Sequence, residues 1–120
     1  MKVVVADDSR VMRQIVIRTL RQAGYDWWDI EEAEDGAAAL VKIRASQPDF
    51  VLSDWNMPEM SGIELLKSLR REGNEIPFAF VTSEGSPEMR AQAEREGALF
   101  LIAKPFTADV FRETIDPFIS

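Results

Sequence analysis

What most constrains this chain is the alternation of two kinds of segment. Five short apolar or β-branched runs, at 2–6, 29–33, 50–54, 77–82 and 99–103, are separated by longer amphipathic stretches. Four of the five are nearly continuous in apolar residues, as strands buried on both faces must be. Glu31 and Glu32 interrupt the second run, which suits an edge strand whose charges discourage pairing with another sheet. The intervening segments read as helices. The first, 10–23, places Met12, Val16, Leu20 and Ala23 on one face, with Ser9 or Asp8 to cap it and Gly24 at its end. The second, 36–46, turns Ala39, Leu40 and Ile43 inward and stops before Pro48. The third, 62–72, turns Ile63, Leu66 and Leu69 inward and closes at Gly73. The fourth, 87–96, has Pro87 in its first turn and Gly97 at its end. The last, 108–115, packs through Val110 and Phe111, and Pro117 ends or kinks it. Strict β-α alternation predicts a doubly wound α/β fold, a (βα)5 three-layer sandwich with a parallel sheet between two helical layers. A length of 120 residues is one such domain, spanning 1–120, with no room for a second.

Composition narrows the chemistry. Lys+Arg is 14 and Asp+Glu 21, a net charge of −7, which repels phosphate backbones and disfavours direct nucleic-acid binding. There is no Cys, which excludes disulfides and thiolate zinc sites. There is no His, which removes imidazole ligands and Ser-His-Asp triads. Reactive groups are therefore carboxylates, hydroxyls, amides and Lys. No signal-peptide core follows Met1-Lys2, and the longest apolar stretch, 98–103, falls far short of the roughly 20 residues of a membrane span. The expectation is a soluble cytoplasmic protein with no membrane insertion.

In a parallel α/β sheet, ligands sit outside the carboxyl ends of the strands. The residues at those ends are Asp7 and Asp8 after the first run, and Asp54 with Trp55-Asn56-Met57-Pro58 at the third. Thr82 and Ser83 end the fourth, and Lys104-Pro105 follows the fifth. With strand order 2-1-3-4-5 these ends are neighbours and their polar groups converge. Each motif alone has a plainer reading: Asp7-Asp8 a helix cap, Asp54 a solvated loop carboxylate, Thr82-Ser83 loop or cap chemistry, Lys104-Pro105 a surface turn. All four falling at strand ends in order favours a site. Three clustered carboxylates need compensation, and a hard divalent cation such as Mg2+ supplies it through oxygen ligands. Carboxylates, metal, hydroxyl and ammonium together describe a phosphoryl site in which one carboxylate attacks.

These motifs carry a resemblance over essentially the whole chain. The segments Val5-Ala6-Asp7-Asp8-Ser9, Leu52-Ser53-Asp54-Trp55-Asn56-Met57-Pro58, Gly62, Val81-Thr82-Ser83 and Ala103-Lys104-Pro105-Phe106 resemble the response-regulator receiver domain of two-component signalling, most of all the single-domain chemotaxis type. The resemblance implies a flavodoxin-like fold and a module that phosphorylates and dephosphorylates only itself. Asp54 would accept a phosphoryl group from a histidine kinase or histidine phosphotransfer domain. Asp8 and Asp54 would bind Mg2+ directly, the Asn56 backbone carbonyl would add a ligand, and Asp7 would assist through water. Lys104 would pair with Asp54 and then with phosphoryl oxygens, Thr82 would move to the phosphoryl group, and Ser83 would leave the site open to the donor. The Lys104-Pro105 bond would be cis. Asn56 and Glu84 would tune the lifetime of the mark, here toward a short one. Val11, Ile15 and Arg18 on the first helix would form a docking patch for the phosphodonor, against the plainer reading of scattered surface apolar residues. An output protein, not named by the sequence, would read the switched state.

One position departs from the family. Its switch aromatic lies three residues before the Lys, where this chain has Leu101, with Phe100 beside it. Strand neighbours point to opposite faces, so Phe100 cannot substitute. Leu101 is kept as a docking candidate on the face of the fourth helix, fifth strand and fifth helix. Trp27-Trp28 reads as core packing or as an exposed partner contact. Two other functions share parts of the pattern. A magnesium-dependent aspartyl-phosphate phosphatase of haloacid-dehalogenase type needs an Asp two residues past the nucleophile, where Asn56 stands. A flavin site needs a hydroxyl- and Gly-rich loop after the first strand, where Asp7-Asp8 stands.

Overall fold

A computed structural model describes residues 1–119. The elements run β1 (Lys2–Ala6), α1 (Arg10–Leu20), β2 (Asp29–Ala33), α2 (Gly36–Ser46), β3 (Phe50–Ser53), α3 (Gly62–Arg71), β4 (Phe78–Thr82), α4 (Pro87–Arg95), β5 (Leu101–Ala103) and α5 (Ala108–Ile119). The strands form one sheet in the order β2-β1-β3-β4-β5, and every pairing is parallel, with Val5 in register with both Glu32 and Leu52. This is the flavodoxin-like doubly wound arrangement.

The two layers follow from strand alternation. Val3, Val5, Leu52, Val81 and Ile102 point to one face, against Val16, Ile17 and Leu20 of α1 and Phe111 and Ile115 of α5. Val4, Val51, Phe78, Phe80 and Leu101 point to the other, against Leu40 and Ile43 of α2, Leu65, Leu66 and Leu69 of α3 and Ala93 of α4. Each helix opens on a side-chain cap that satisfies an otherwise unbonded N–H. Ser9, Asp35, Ser61 and Ser86 accept from Met12, Ala38, Glu64 and Met89, and Thr107 accepts from Val110. The choice at α1 is thus Ser9, which frees Asp8 from a capping role.

Three expectations need correction. The first helix does not run evenly to residue 23: it ends at Leu20 and widens into a turn over Arg21–Tyr25, where Gly24 takes a φ of 105°. That left-handed angle suits a glycine, which has no Cβ to clash. The last helix passes through Pro117 to Ile119. Proline forfeits one hydrogen bond there, but Phe118 packs on Phe100 with ring centres 5.7 Å apart, and Ile119 packs against the core. Val110 is 40% exposed, and Phe111, fully buried, carries the packing in that turn with Ala108 beside it. The two tryptophans divide the readings between them. Trp28 is buried and stacked on Tyr25 at 4.4 Å, while Trp27 is 62% exposed.

Candidate functional site

Strand order brings the carboxyl ends of β1, β3, β4 and β5 side by side, and each strand gives way to a polar group where its apolar run stops. Asp7 follows β1 and is buried; its Oδ1 accepts the Ser9 N–H at 2.9 Å, which closes the turn into α1. Asp54 follows β3, and its N–H donates to the Ala6 carbonyl at 2.8 Å, so the two acidic positions are tied through main chain. Asp54 Oδ1 accepts the Trp55 N–H at 2.7 Å. Oδ2 lies 3.6 Å from Lys104 Nζ, which also donates to Asp7 Oδ2 at 3.1 Å. The Lys104 side chain is only 13% exposed, so one desolvated ammonium faces two buried carboxylates. The Lys104-Pro105 bond is cis, as expected.

The start of α3 sits directly beneath this loop. A Cβ on Gly62 would fall 2.1 Å from the Asp54 carbonyl oxygen, so only glycine lets α3 approach the backbone that carries Asp54. Thr82, fully buried, ends β4, and its Oγ1 accepts the Glu84 N–H at 3.4 Å. The Glu84 carboxylate in turn accepts from the Asn56 side-chain amide at 3.1 Å. Asn56 and Glu84, expected together from the family resemblance, meet at the exposed rim of the site. Val11 and Arg18 are exposed on α1 and Ile15 is half-buried, all outside the helix's buried stripe.

The electrostatics are unbalanced. Burial pushes the Asp54 carboxyl above its ordinary value. The Lys104 ammonium pulls it back, the Asp7 charge raises it again, and the Trp55 N–H and Thr82 hydroxyl lower it. Ligand oxygens of Asp7, Asp8 and Asp54 all lie within 4.8 Å of one another. Magnesium–oxygen bonds of about 2.1 Å put opposite ligands of an octahedron about 4.2 Å apart. An all-oxygen cluster of this span fits a small hard cation, and Asp8, exposed at the mouth, leaves room for its waters.

Leu101, the docking candidate on β5, sits mostly below the surface. It is 8% exposed and packs in the core beneath α4, at the floor of an open groove of about 640 Å³ lined also by Arg90, Glu94, Phe100 and Thr114. Its neighbour Phe100 packs into the opposite layer, as alternation requires. Two arginines at the site were invisible in the sequence. Arg90 donates to the carbonyls of Gly85 at 3.2 Å and Leu101 at 3.0 Å, tying the β4–α4 loop to β5. Arg13 reaches from α1 to the Asp7 carbonyl at 2.7 Å and to Glu32 Oε1 at 2.9 Å. Nothing in a helical arginine distinguishes it from ordinary surface charge; only the tertiary placement does.

A doubly wound sheet with an aspartate cluster and a buried lysine at its carboxyl edge defines a class of acidic, cation-type site on a flavodoxin-like frame. Comparison with known proteins gives the family: a model of the response regulator receiver domain matches residues 3–116, and the chain belongs to that family. It is 40% identical over 118 residues to chemotaxis protein CheY-3 of Vibrio cholerae, covering 97% of this chain and 89% of that one. It is 41% identical over 119 residues to chemotaxis protein CheY1 of Helicobacter pylori, covering 97% and 94%. Among solved structures, CheY4 of Vibrio cholerae superposes with a TM-score of 0.85 at 35% identity, covering 98% of each chain. The receiver domain of Francisella response regulator 1452 gives 0.84 at 29%, covering 97% and 93%. The protein is thus a CheY-like receiver domain of a response regulator. The haloacid-dehalogenase alternative finds no support, and Asn56 stands where it would need a second Asp.

Proposed function

We propose that the chain is a single receiver domain, 1–120, that takes a phosphoryl group onto Asp54 in a magnesium-dependent reaction and thereby changes its partner binding. The observation that carries this is the placement of Asp54: a buried carboxylate with one oxygen held by the Trp55 N–H and the other facing Lys104, beside two further carboxylates. In the transfer, an Asp54 oxygen attacks phosphorus. The phosphorus–nitrogen bond of a phosphohistidine breaks, and its electron pair returns to the imidazole. Lys104 follows the charge onto the phosphoryl oxygens, and the Thr82 hydroxyl donates to one of them. Asp8, Asp54 and the Asn56 carbonyl would hold Mg2+, with Asp7 acting through water. When bound, the metal neutralises charge that would otherwise build up among the carboxylates and the incoming phosphoryl group.

The donor is a histidine kinase or histidine phosphotransfer domain, docked over Val11, Ile15 and Arg18. Asn56 and Glu84, bonded at the rim, set how easily water reaches the acyl phosphate. The reaction is on the protein itself, with no turnover substrate. The high identity to chemotaxis proteins favours a role in a chemotaxis-type pathway. Among the described residues no helix is long and apolar enough to cross a membrane; the proposed place of action is the cytoplasm. Incubation with acetyl phosphate and magnesium should add one phosphoryl group, read by intact mass, and Asp54→Asn should abolish it. Undiminished labelling of that variant would falsify the assignment.

A further inference from the structure

Helix α1 and the turn after it, 9–25, carry four arginines and no acidic residue. Arg10, Arg18 and Arg21 are exposed. Arg13 alone is turned inward, with a side chain 13% exposed, and its guanidinium makes two directional bonds. Nη1 donates to the Asp7 carbonyl at 2.7 Å and Nε to Glu32 Oε1 at 2.9 Å. Glu32 sits on the edge strand β2, in register with Val5 of β1, two residues before Asp7. It also accepts from the Gln14 side chain at 3.3 Å. The Lys42 ammonium bonds the Glu32 carbonyl from α2. The arginine is therefore fixed from the sheet side and grips the peptide that joins Asp7 to Asp8.

From this we propose that Arg13 is a positioning residue for the metal site, acting through the Asp7–Asp8 peptide; this rests on the magnesium-dependent reading above. Three bonds define the turn: Arg13 to the Asp7 carbonyl, Ser9 N–H to Asp7 Oδ1, and Asp7 N–H to the Ala33 carbonyl at 3.1 Å. Without the first, the 7–8 peptide plane is free to rotate, and rotation there swings the Asp8 carboxylate relative to Asp54. A planar guanidinium holds a carbonyl and a carboxylate at once with fixed geometry, which a lysine cannot reproduce. Groups that orient metal ligands from the second layer typically affect affinity about 10- to 100-fold.

The sign of the effect separates positioning from simple electrostatics. Removing a cation near a metal site favours metal binding by Coulomb's law. Losing a positioning contact weakens it. Arg13→Met keeps the apolar stem and removes the fork; Arg13→Lys keeps the charge; Glu32→Gln keeps the arginine and loosens its anchor. Calorimetric Mg2+ titration should show about 10-fold weaker binding in Arg13→Met. Arg13→Lys should be similarly weak and Glu32→Gln intermediate. In the metal-free protein, the Asp8 and Ser9 amide signals should shift or broaden in all three, with signals of the distant α3–α4 layer unchanged. Equal or tighter Mg2+ binding in Arg13→Met and Arg13→Lys, with Asp8 and Ser9 unmoved, would overturn the proposal. If the wild type bound no Mg2+, the functional reading would fall instead. The metal-free amide signals, with Glu32→Gln as the mildest variant, would then decide the role of Arg13 alone.

Discussion

Asp54 pays for its position, and that cost is the first thing to measure. It is a buried carboxylate beside Asp7, with its carboxyl held above the ordinary range by burial, the Lys104 ammonium only partly opposing this. A charge the fold disfavours is one whose removal stabilises. Asp54→Asn keeps the shape and an acceptor for the Trp55 N–H while removing the repulsion. Its metal-free thermal midpoint should rise, on the order of 1 kcal/mol in stability; a fall in the midpoint counts against the cluster. The residues of the site were legible in the sequence because each sits at the end of an apolar run, where parallel sheets place ligands. Arg13 and Arg90 were not, because an arginine's partners lie on other elements and leave no local pattern. The depth of Leu101 was hidden for a different reason. The family pattern marks the position, but how deep the leucine sits beneath α4 depends on tertiary packing that no local pattern encodes.

Two side-chain ties join separate elements of the fold. Arg90 joins the β4–α4 loop to β5 through the Gly85 and Leu101 carbonyls, at a position where the usual aromatic is absent. If the phosphoryl group draws in Thr82, the loop at 83–87 must yield, and a leucine at 101 transmits little of that motion. Beryllofluoride, a phosphoryl mimic, should therefore shift backbone amide signals most between Thr82 and Pro87 and at the start of α4. Large shifts confined to 99–103, with the loop silent, would show that β5 carries the switch without an aromatic. The second tie joins the turn after α1 to α5. The Tyr25 hydroxyl donates to Asp116, and Arg112 Nε donates to the Ala23 carbonyl at 3.1 Å. Burial and the Asp116 carboxylate raise the Tyr25 phenol well above its ordinary value of 10.0. The unfolded chain ionises first, so this contribution is complete below pH 10 and is lost as pH rises through the folded value. Tyr25 is the one tyrosine of the chain, so phenolate absorbance reports it alone. That absorbance should appear only as the fold is lost; ionisation near the ordinary value in folded protein would contradict the buried bond. Tyr25→Phe should cost about 1 kcal/mol at neutral pH. Helix ends were the least legible elements, since the path through Pro117 is set by Phe100 and the core rather than by local propensity.

For the whole molecule, the fold is a frame that holds like charges together until a cation joins them. Alternating apolar runs were enough to predict the sheet and its two layers, since they dictate burial on both faces. They could not show how strongly the acidic edge depends on its ligand. A ligand that binds only the native state stabilises it by mass action, by about 2.7 kcal/mol at 100 times its dissociation constant. The thermal midpoint should therefore climb with Mg2+, and an unchanged midpoint at saturation would contradict the metal site. Whether Asp54 carries the phosphate can be read chemically. After treatment with acetyl phosphate, borohydride reduces an acyl phosphate to the alcohol, converting the carrying aspartate to homoserine, which peptide mass spectrometry locates. Homoserine should appear at position 54 alone, and only when magnesium is present. Homoserine at position 7 or 8, or at 54 irrespective of magnesium, would contradict it.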